Sequence, residues 1–105
     1  MVPLRPGQVV TSKKGRDEGR HYLVMRVDPR GFVWLTDGWR RPQARPKRKN
    51  WRHVWVEDGI AHELGRRWEK GERVPDGDVR ETLERLAPRP AHAAAADAVS
   101  PKEAT

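Results

Sequence analysis

The sequence predicts a small, mainly β domain, in which short strands form a barrel and two short helices follow. Over the first 58 residues, apolar residues occur in short, partly alternating runs that Gly, Pro and Asp separate, as in strands joined by tight turns. From Asp58 onward the apolar residues recur about every fourth position, which is typical of amphipathic helices. A chain of 105 residues accommodates one such domain. We therefore predict a barrel over residues 1–58, a helical hairpin packed on it over 59–87, and a disordered tail over 88–105.

The first two strands are predicted at Gln8–Ser12 and His21–Val27, on either side of a polar loop. The loop contains two glycines, several charges and no apolar residue, so it is expected to be exposed. In the second strand, apolar residues occupy both alternating sets of positions, with Leu23 and Val27 on one face and Val24 on the other. This pattern predicts a strand that is partly buried on both faces.

The following residues predict three more extended segments. Residues 28–31, Asp-Pro-Arg-Gly, match a type I turn that leads into a strand at Phe32–Thr36. Asp37-Gly38 predicts a two-residue reversal into a short strand at Trp39–Arg41. Two prolines then interrupt hydrogen bonding, so the basic segment around them is predicted to be a connection. The last strand is predicted at Trp51–Val56.

Two helices are predicted after the strands. The first spans Ile60–Lys70, where apolar residues recur every fourth position and a glycine follows. The second begins at Asp76 as its N-cap and ends near Ala87, before two prolines, with a single apolar stripe. Residues 88–105 are rich in Ala and Pro and have no aromatic residue to bury, which predicts disorder.

The composition excludes several classes of protein. The chain has no Cys, which rules out a disulfide framework, a thiolate nucleophile and a zinc ribbon. No run approaches the roughly 18 consecutive apolar residues of a membrane span, and the first ten residues lack an export signal. We therefore expect a cytoplasmic protein with no membrane partner. Five Trp occur among few other large apolar residues, so they are expected to supply much of the core.

Positive charge is concentrated in the first 58 residues. These contain 14 Lys and Arg against 6 Asp and Glu, whereas the whole chain has a net charge of +7. An acid-free stretch carries seven of these charges, on Arg40, Arg41, Arg45, Lys47, Arg48, Lys49 and Arg52. Such a cluster is either a solvated tail or a surface for a polyanion, and the flanking Trp39 and Trp51 favour the surface. Whether these two indoles stack on unpaired bases or pack in the core stays open.

The loop between the first two strands carries a second cationic group, on Lys13, Lys14, Arg16 and Arg20. Its two glycines permit close approach to a partner, and the cations suit a phosphate backbone. A plain turn whose charges keep it soluble is the structural alternative. Asp17 offers an ion-pair partner to Arg16 or Arg20, which would orient a guanidinium.

The loop and its flanks, Gly7-Gln8-Val9-Val10-x-Ser12-Lys13-x-Gly15-Arg16-Asp17-x-Gly19-Arg20 followed by an apolar strand, resemble a KOW motif. The resemblance covers residues 5–87 and continues through Asp37-Gly38, Pro46-Lys47-Arg48-Lys49-Asn50 and the Val79-Arg80 helix. The chain is thus similar to bacterial KOW-domain RNA-binding proteins related to large-subunit KOW proteins of archaeal and eukaryotic ribosomes. It departs from them by Trp39, Trp51 and Trp55, where smaller or aliphatic residues are expected. The resemblance implies an SH3-like barrel whose KOW loop contacts structured RNA.

We therefore predict a non-catalytic protein that binds RNA, above all ribosomal RNA, with ribosomal proteins as further partners. Both cationic stretches are expected to face one side of the barrel and to contact phosphates. The predicted RNA-binding residues are Lys13, Lys14, Arg16, Arg20, Trp39, Arg40, Arg41, Arg45, Lys47, Arg48, Lys49, Trp51 and Arg52.

Two other functions compete with this prediction. An SH3-like protein-interaction module of the transcription or translation machinery is the first, since a Trp-rich groove suits a Pro-containing partner. Binding to double-stranded DNA or to an elongation complex is the second. The His residues are scattered without metal-ligand spacing, no phosphate-binding glycine motif opens a helix, and no nucleophile has a base beside it. We therefore predict no catalytic residue, no metal, no cofactor and no small-molecule substrate.

Overall fold

The computed structural model describes residues 2–88 as five antiparallel strands and two helices, which confirms the predicted mainly β architecture with two C-terminal helices. The elements in chain order are β1 Gln8–Ser12, β2 His21–Val27, β3 Phe32–Thr36, β4 Lys47–Asn50, a 3-10 turn Trp51–His53, β5 Val54–Ile60, α1 His62–Glu69 and α2 Asp76–Leu86. The strand order in the sheet is β4-β3-β2-β1-β5, so β4 and β5 form the two edges of an open sheet. The predicted tail lies outside the described residues, apart from Pro88.

The sheet buries apolar side chains on both of its faces. On one face, strands β1, β2, β3 and β5 enclose a first core of Leu4, Val10, Tyr22, Val24, Val33, Leu35 and Val54. On the other face, the two helices cover a second core of Val9, Leu23, Ala61, Leu64, Val74, Val79 and Leu83. Each fully buried side chain of this size contributes about 1.5 to 3 kcal/mol to stability. The two helices therefore pack on one face of the sheet.

Strand β2 is buried on both faces as predicted, but its alternation is interrupted once. Its pairing with β3 shifts between Val24 and Arg26, where an extra residue enters β2. A bulge of this kind re-phases the residues that follow it. Val27 consequently packs beside the first core together with Val24, not on the face of Leu23 as predicted.

The Trp residues do not form the core, so that prediction is wrong. All five are half-buried or exposed, and the interior is built from Val, Leu and Tyr22. Trp39 is 60% exposed and Trp55 is 40% exposed. Small β-branched side chains fill the space within such a short-stranded sheet, which leaves the indoles at its margins.

Three strand predictions differ from the structure around the basic segment. The residues after Asp37-Gly38 form bends, so the predicted strand at Trp39–Arg41 is wrong. The strand that pairs with β3 is β4, within the stretch predicted to be a connection. Trp51 begins a 3-10 turn, and the last strand starts only at Val54. Pro42 and Pro46 do not prevent β4 from pairing with β3, because both precede Lys47 and lie outside the ladder.

The helices match their predicted positions except at their first turns. Ile60 is the last residue of β5, and α1 begins at His62. Asp76 is the first residue of α2 and not its N-cap; its carboxylate accepts hydrogen bonds from Gln43 instead.

Neither helix of residues 2–88 has the length and apolar character that crossing a membrane requires.

A close crossing between α1 and the chain before β1 gives a testable constraint. A Cβ added to Gly65 would collide with the backbone carbonyl of Pro6, whereas one added to Gly77 in α2 meets no atom. We expect Gly65→Ala to lower the free energy of unfolding by about 2 kcal/mol through overpacking. Gly77→Ala should raise it by about 0.5 to 1 kcal/mol through better helix propensity. Urea unfolding of both variants measures these changes. Equal free energies of unfolding for Gly65→Ala and Gly77→Ala would contradict the close contact between Gly65 and Pro6.

Candidate nucleic-acid interface

The loop between β1 and β2, residues 13–20, is held in place by a buried carboxylate. Asp17 accepts hydrogen bonds from the Ser12 hydroxyl at 2.8 Å and from the Tyr22 hydroxyl at 2.8 Å. The Lys49 ammonium lies 3.1 Å from the same carboxylate and also donates to the carbonyl of Lys14. The loop is therefore tied to β1, β2 and β4 through one side chain.

These contacts determine the ionisation of the two acidic groups. Burial opposes the charge of Asp17, but hydrogen bonds from Tyr22, Ser12 and Lys49, together with the positive charge of Lys49, outweigh it and lower its pKa below 3.8. Burial and the hydrogen bond to Asp17 raise the pKa of Tyr22 above its ordinary value. Asp17 is therefore a carboxylate and Tyr22 a neutral donor at physiological pH.

The partner of Asp17 differs from the sequence prediction. The ion pair forms with Lys49 and not with Arg16 or Arg20, and the side chains of the pair are only 9% and 7% exposed. Lys49 is thus committed to holding the loop, which removes it from the set of cations that can turn toward a ligand. Arg16 and Arg20 are exposed.

Both cationic stretches contribute to one cavity, which we call the cationic cavity. Its volume is about 280 Å³ and its lining is Arg16, Asp17, Arg20, Tyr22, Arg41 and Lys47. Four cations thus surround a space whose one carboxylate is already bound to Lys49. The expectation that the loop and the basic segment face the same side therefore holds for these four residues.

Local hydrogen bonds place Arg41 at this cavity. The Asp37 carboxylate accepts from the backbone N–H groups of Trp39 and Arg41, at 2.8 and 2.9 Å. The Thr36 hydroxyl donates to the Arg41 carbonyl at 2.7 Å. Short polar side chains commonly shape loops in this way, by replacing backbone partners. The turn thereby fixes the backbone that carries the Trp39 indole and the Arg41 guanidinium.

Beside the cationic cavity lies a second concavity, the Trp39 groove. It has a volume of about 530 Å³ and is lined by Arg20, His21, Asp37, Trp39, Arg40, Arg80, Leu83, Glu84 and Ala87. The guanidinium carbons of Arg40 and Arg80 lie 4.9 and 5.2 Å from the centre of the Trp39 ring. Gly38, with a φ of +75°, lets the turn approach the start of α2 and brings Trp39 beside Arg80.

A buried glutamine fastens the same loop to the helices. The amide of Gln43 donates to the Val74 carbonyl at 2.6 Å and to the Asp76 carboxylate at 2.9 Å. Its side-chain oxygen accepts from the Trp68 indole at 3.0 Å. Because buried amides are costly to leave unpaired, this network rigidifies the segment that carries Trp39 and Arg41.

Strand β4 divides the basic segment between two faces of the sheet. Lys47 and Lys49 pair with Leu35 and Val33, so they lie on the face of the first core, near the loop. Arg48 lies between them and faces the other way, because successive strand residues alternate. Its guanidinium stacks on Phe32, 4.0 Å from the ring centre. The prediction that Arg48 shares one surface with Lys47 is therefore wrong.

The remaining predicted contacts lie around these features. Lys13 is 4.3 Å from the centre of the Trp55 ring and donates to the carbonyl of Arg52 at 3.3 Å. Trp51 is half-buried and packs against the first core. Lys14 and Arg45 are exposed.

Sequence reasoning missed three features of this candidate interface. They are the position of Arg80 beside Trp39, the hydrogen bonds of Gln43, and the ion pair between Asp17 and Lys49. Arg80 looks like an ordinary surface residue of a helix, and its neighbour Trp39 lies 41 positions earlier. Gln43 lies between prolines and arginines with no local pattern. Each acts through contacts distant in sequence, for which the chain carries no local signal.

In comparisons with known proteins the sequence matches no family model and no curated protein, so the KOW resemblance stays a prediction.

Proposed function

We propose that this protein is a non-catalytic, cytoplasmic RNA-binding protein that holds the phosphate backbone of ribosomal or other structured RNA in the cationic cavity. The observation that carries the proposal is the meeting of Arg16 and Arg20 with Arg41 and Lys47 around one concave surface. Phosphate oxygens are the acceptors that Arg and Lys suit best, since both remain positively charged at neutral pH.

The rigidity of the lining supports the proposal. The loop is fixed by Asp17, and the turn before Arg41 is fixed by Asp37. Cations on prearranged backbone lose less conformational entropy when they bind than cations on a free tail. A tail or solvated run of charge would not need such supports.

The proposal includes an SH3-like barrel of the KOW type, left open between β4 and β5. Its support is the first core, to which β3 near one edge and β5 at the other edge both contribute, so the sheet curls around it. The position of the loop between β1 and β2 is the one expected of a KOW loop.

A second candidate is a protein-interaction module that accepts a Pro-containing peptide. The Trp39 groove favours it, because aromatic-lined grooves recognise polyproline segments. That function does not require the cationic cavity, which is the reason we rank it second.

The test is the salt dependence of RNA binding by the full chain. Four phosphate contacts predict a slope of log affinity against log salt of about −3, from roughly −0.7 to −0.9 per contact. Affinity for a structured ribosomal RNA fragment is measured between about 50 and about 200 mM salt. Double-stranded DNA of equal length serves as the competitor, and we expect RNA to be preferred. A flat salt profile, or equal binding of both nucleic acids, would contradict the proposal.

A further inference from the structure

The two neighbouring concavities differ in chemistry. The cationic cavity has four cations and one carboxylate that Lys49 neutralises. The Trp39 groove has three arginines but also Asp37 and Glu84, and its lining includes the apolar Leu83 and Ala87. A phosphate suits the first composition better than the second, where two carboxylates offset most of the charge of the three arginines. A flat ring with polar edges suits the second, because apolar and hydrogen-bonding groups occur there together.

The exposed indole is available for stacking. Elsewhere in the sheet, Arg26 over Trp34 and Arg48 over Phe32 lie 4.0 Å from the ring centres. The guanidinium carbons beside Trp39 are farther away, at 4.9 and 5.2 Å, and the residue is 60% exposed. Trp39 therefore has solvent-exposed ring surface that a base can cover, and the two guanidinium groups over the ring can reach the flanking phosphates.

The two concavities share one residue. Arg20 lines both the cationic cavity and the Trp39 groove, so a ligand can cross between them without leaving the positive surface. In a nucleotide, the base and its phosphate are adjacent groups of opposite character, as these two sites are. A continuous duplex keeps its bases stacked inside, so only an unpaired nucleotide can offer a base to the groove.

We infer that the Trp39 groove receives the base of an unpaired nucleotide while the adjoining phosphate lies in the cationic cavity. The preferred RNA then contains a bulge or loop and is not a continuous duplex. This inference rests on the proposed function and adds the class of RNA that the site selects.

The experiment compares three hairpin RNAs that share one stem. One is fully paired, one has a single bulged nucleotide, and one has the same bulge without its base. The full chain should bind the bulged RNA about 10-fold more tightly than the other two, a factor that fits stacking of one base. Trp39→Ala should abolish this preference and leave the affinity for the paired RNA within about two-fold. Because Trp39 is largely exposed, this variant is expected to fold, which circular dichroism checks.

Trp55→Ala is the matched control. Trp55 is also an exposed indole with a cation over its ring, Lys13, but it does not line the groove. We expect this variant to keep the preference for the bulged RNA.

Three results would overturn the inference while leaving the proposed function intact. They are equal binding of the three RNAs by the wild-type chain, equal loss of affinity for all three RNAs in Trp39→Ala, and loss of the preference in Trp55→Ala. If Trp39→Ala weakens a proline-rich peptide and not the bulged RNA, the groove is a peptide site. Failure of the wild-type chain to bind any of the RNAs would instead contradict the proposed function itself.

Discussion

The triple replacement Arg16→Gln, Arg41→Gln and Lys47→Gln is expected to lower RNA affinity by a factor of about 100 to 500 at roughly 0.1 M salt. Each lost phosphate contact removes the release of close to one counterion, which at this salt concentration corresponds to a factor of about five to eight. The slope of log affinity against log salt should become shallower by about 2 to 3. Filter binding or fluorescence anisotropy over a salt series measures both quantities. Arg20 stays unchanged, so the Trp39 groove keeps its lining.

The matched control removes the same charge from elsewhere on the surface. Arg26→Gln, Arg30→Gln and Arg48→Gln together also change the net charge by three, but none of these residues lines the cationic cavity. Arg26 and Arg48 stack on aromatic rings, and Arg30 lies in the turn between β2 and β3. We expect this control to lose less than about five-fold in affinity through the general field. If the two triple variants weaken binding equally, net charge and not the cavity carries the interaction.

Removal of the buried carboxylate should have the largest effect on stability. Asp17→Ala leaves the Lys49 ammonium without its ion-pair partner and removes the acceptor for Ser12 and Tyr22. We expect the free energy of unfolding to fall by about 3 kcal/mol, the lower end of the range for a broken buried pair. Urea unfolding measures it. Glu18→Ala, at the exposed neighbouring position, should change it by less than about 0.5 kcal/mol.

The same carboxylate gives a pH dependence with a defined sign. The pKa of Asp17 is lowered by folding, so its contribution is fully present above 3.8 and is lost as the pH falls through the folded-state pKa. Between the folded-state pKa and 3.8, the Asp17 carboxylate is protonated in the unfolded chain and ionised in the folded chain. The stability difference between the wild type and Asp17→Asn should therefore shrink between about pH 5 and about pH 2. A difference that stays constant over this interval would show that the charge of Asp17 is not involved.

The first three strands could be predicted from short-range sequence patterns alone. The first three strands have the predicted bounds because alternating apolar residues and glycine-containing turns determine them without distant partners. β4 escaped prediction because Lys47–Asn50 has no apolar residue, and only its pairing with β3 makes it a strand. Ile60 fits the apolar spacing of α1, yet pairing with Gln8 extends β5 through it. In both cases tertiary hydrogen bonds overrode the local pattern.

The candidate site was predictable in its charge and not in its arrangement. The sequence places the cations on two stretches, but strand alternation turns Arg48 away, and the buried pair withdraws Lys49 from the surface. The expected burial of Trp55 failed because apolar content alone does not tell which side of a strand faces the core. Exposure of Trp39 follows from the turn built by Asp37 and Gly38, which docks on α2.

The basic edge strand also bears on how copies of the chain meet one another. Within residues 2–88, β4 ends the sheet with a row of backbone groups that no further strand covers, and such edges invite a second molecule to add a strand. Its sequence, Lys-Arg-Lys-Asn, places the charges of Lys47 and Arg48 along that edge, whereas the charge of Lys49 is neutralised by Asp17. Two β4 edges therefore repel each other, so the positive charge on this strand guards against self-association.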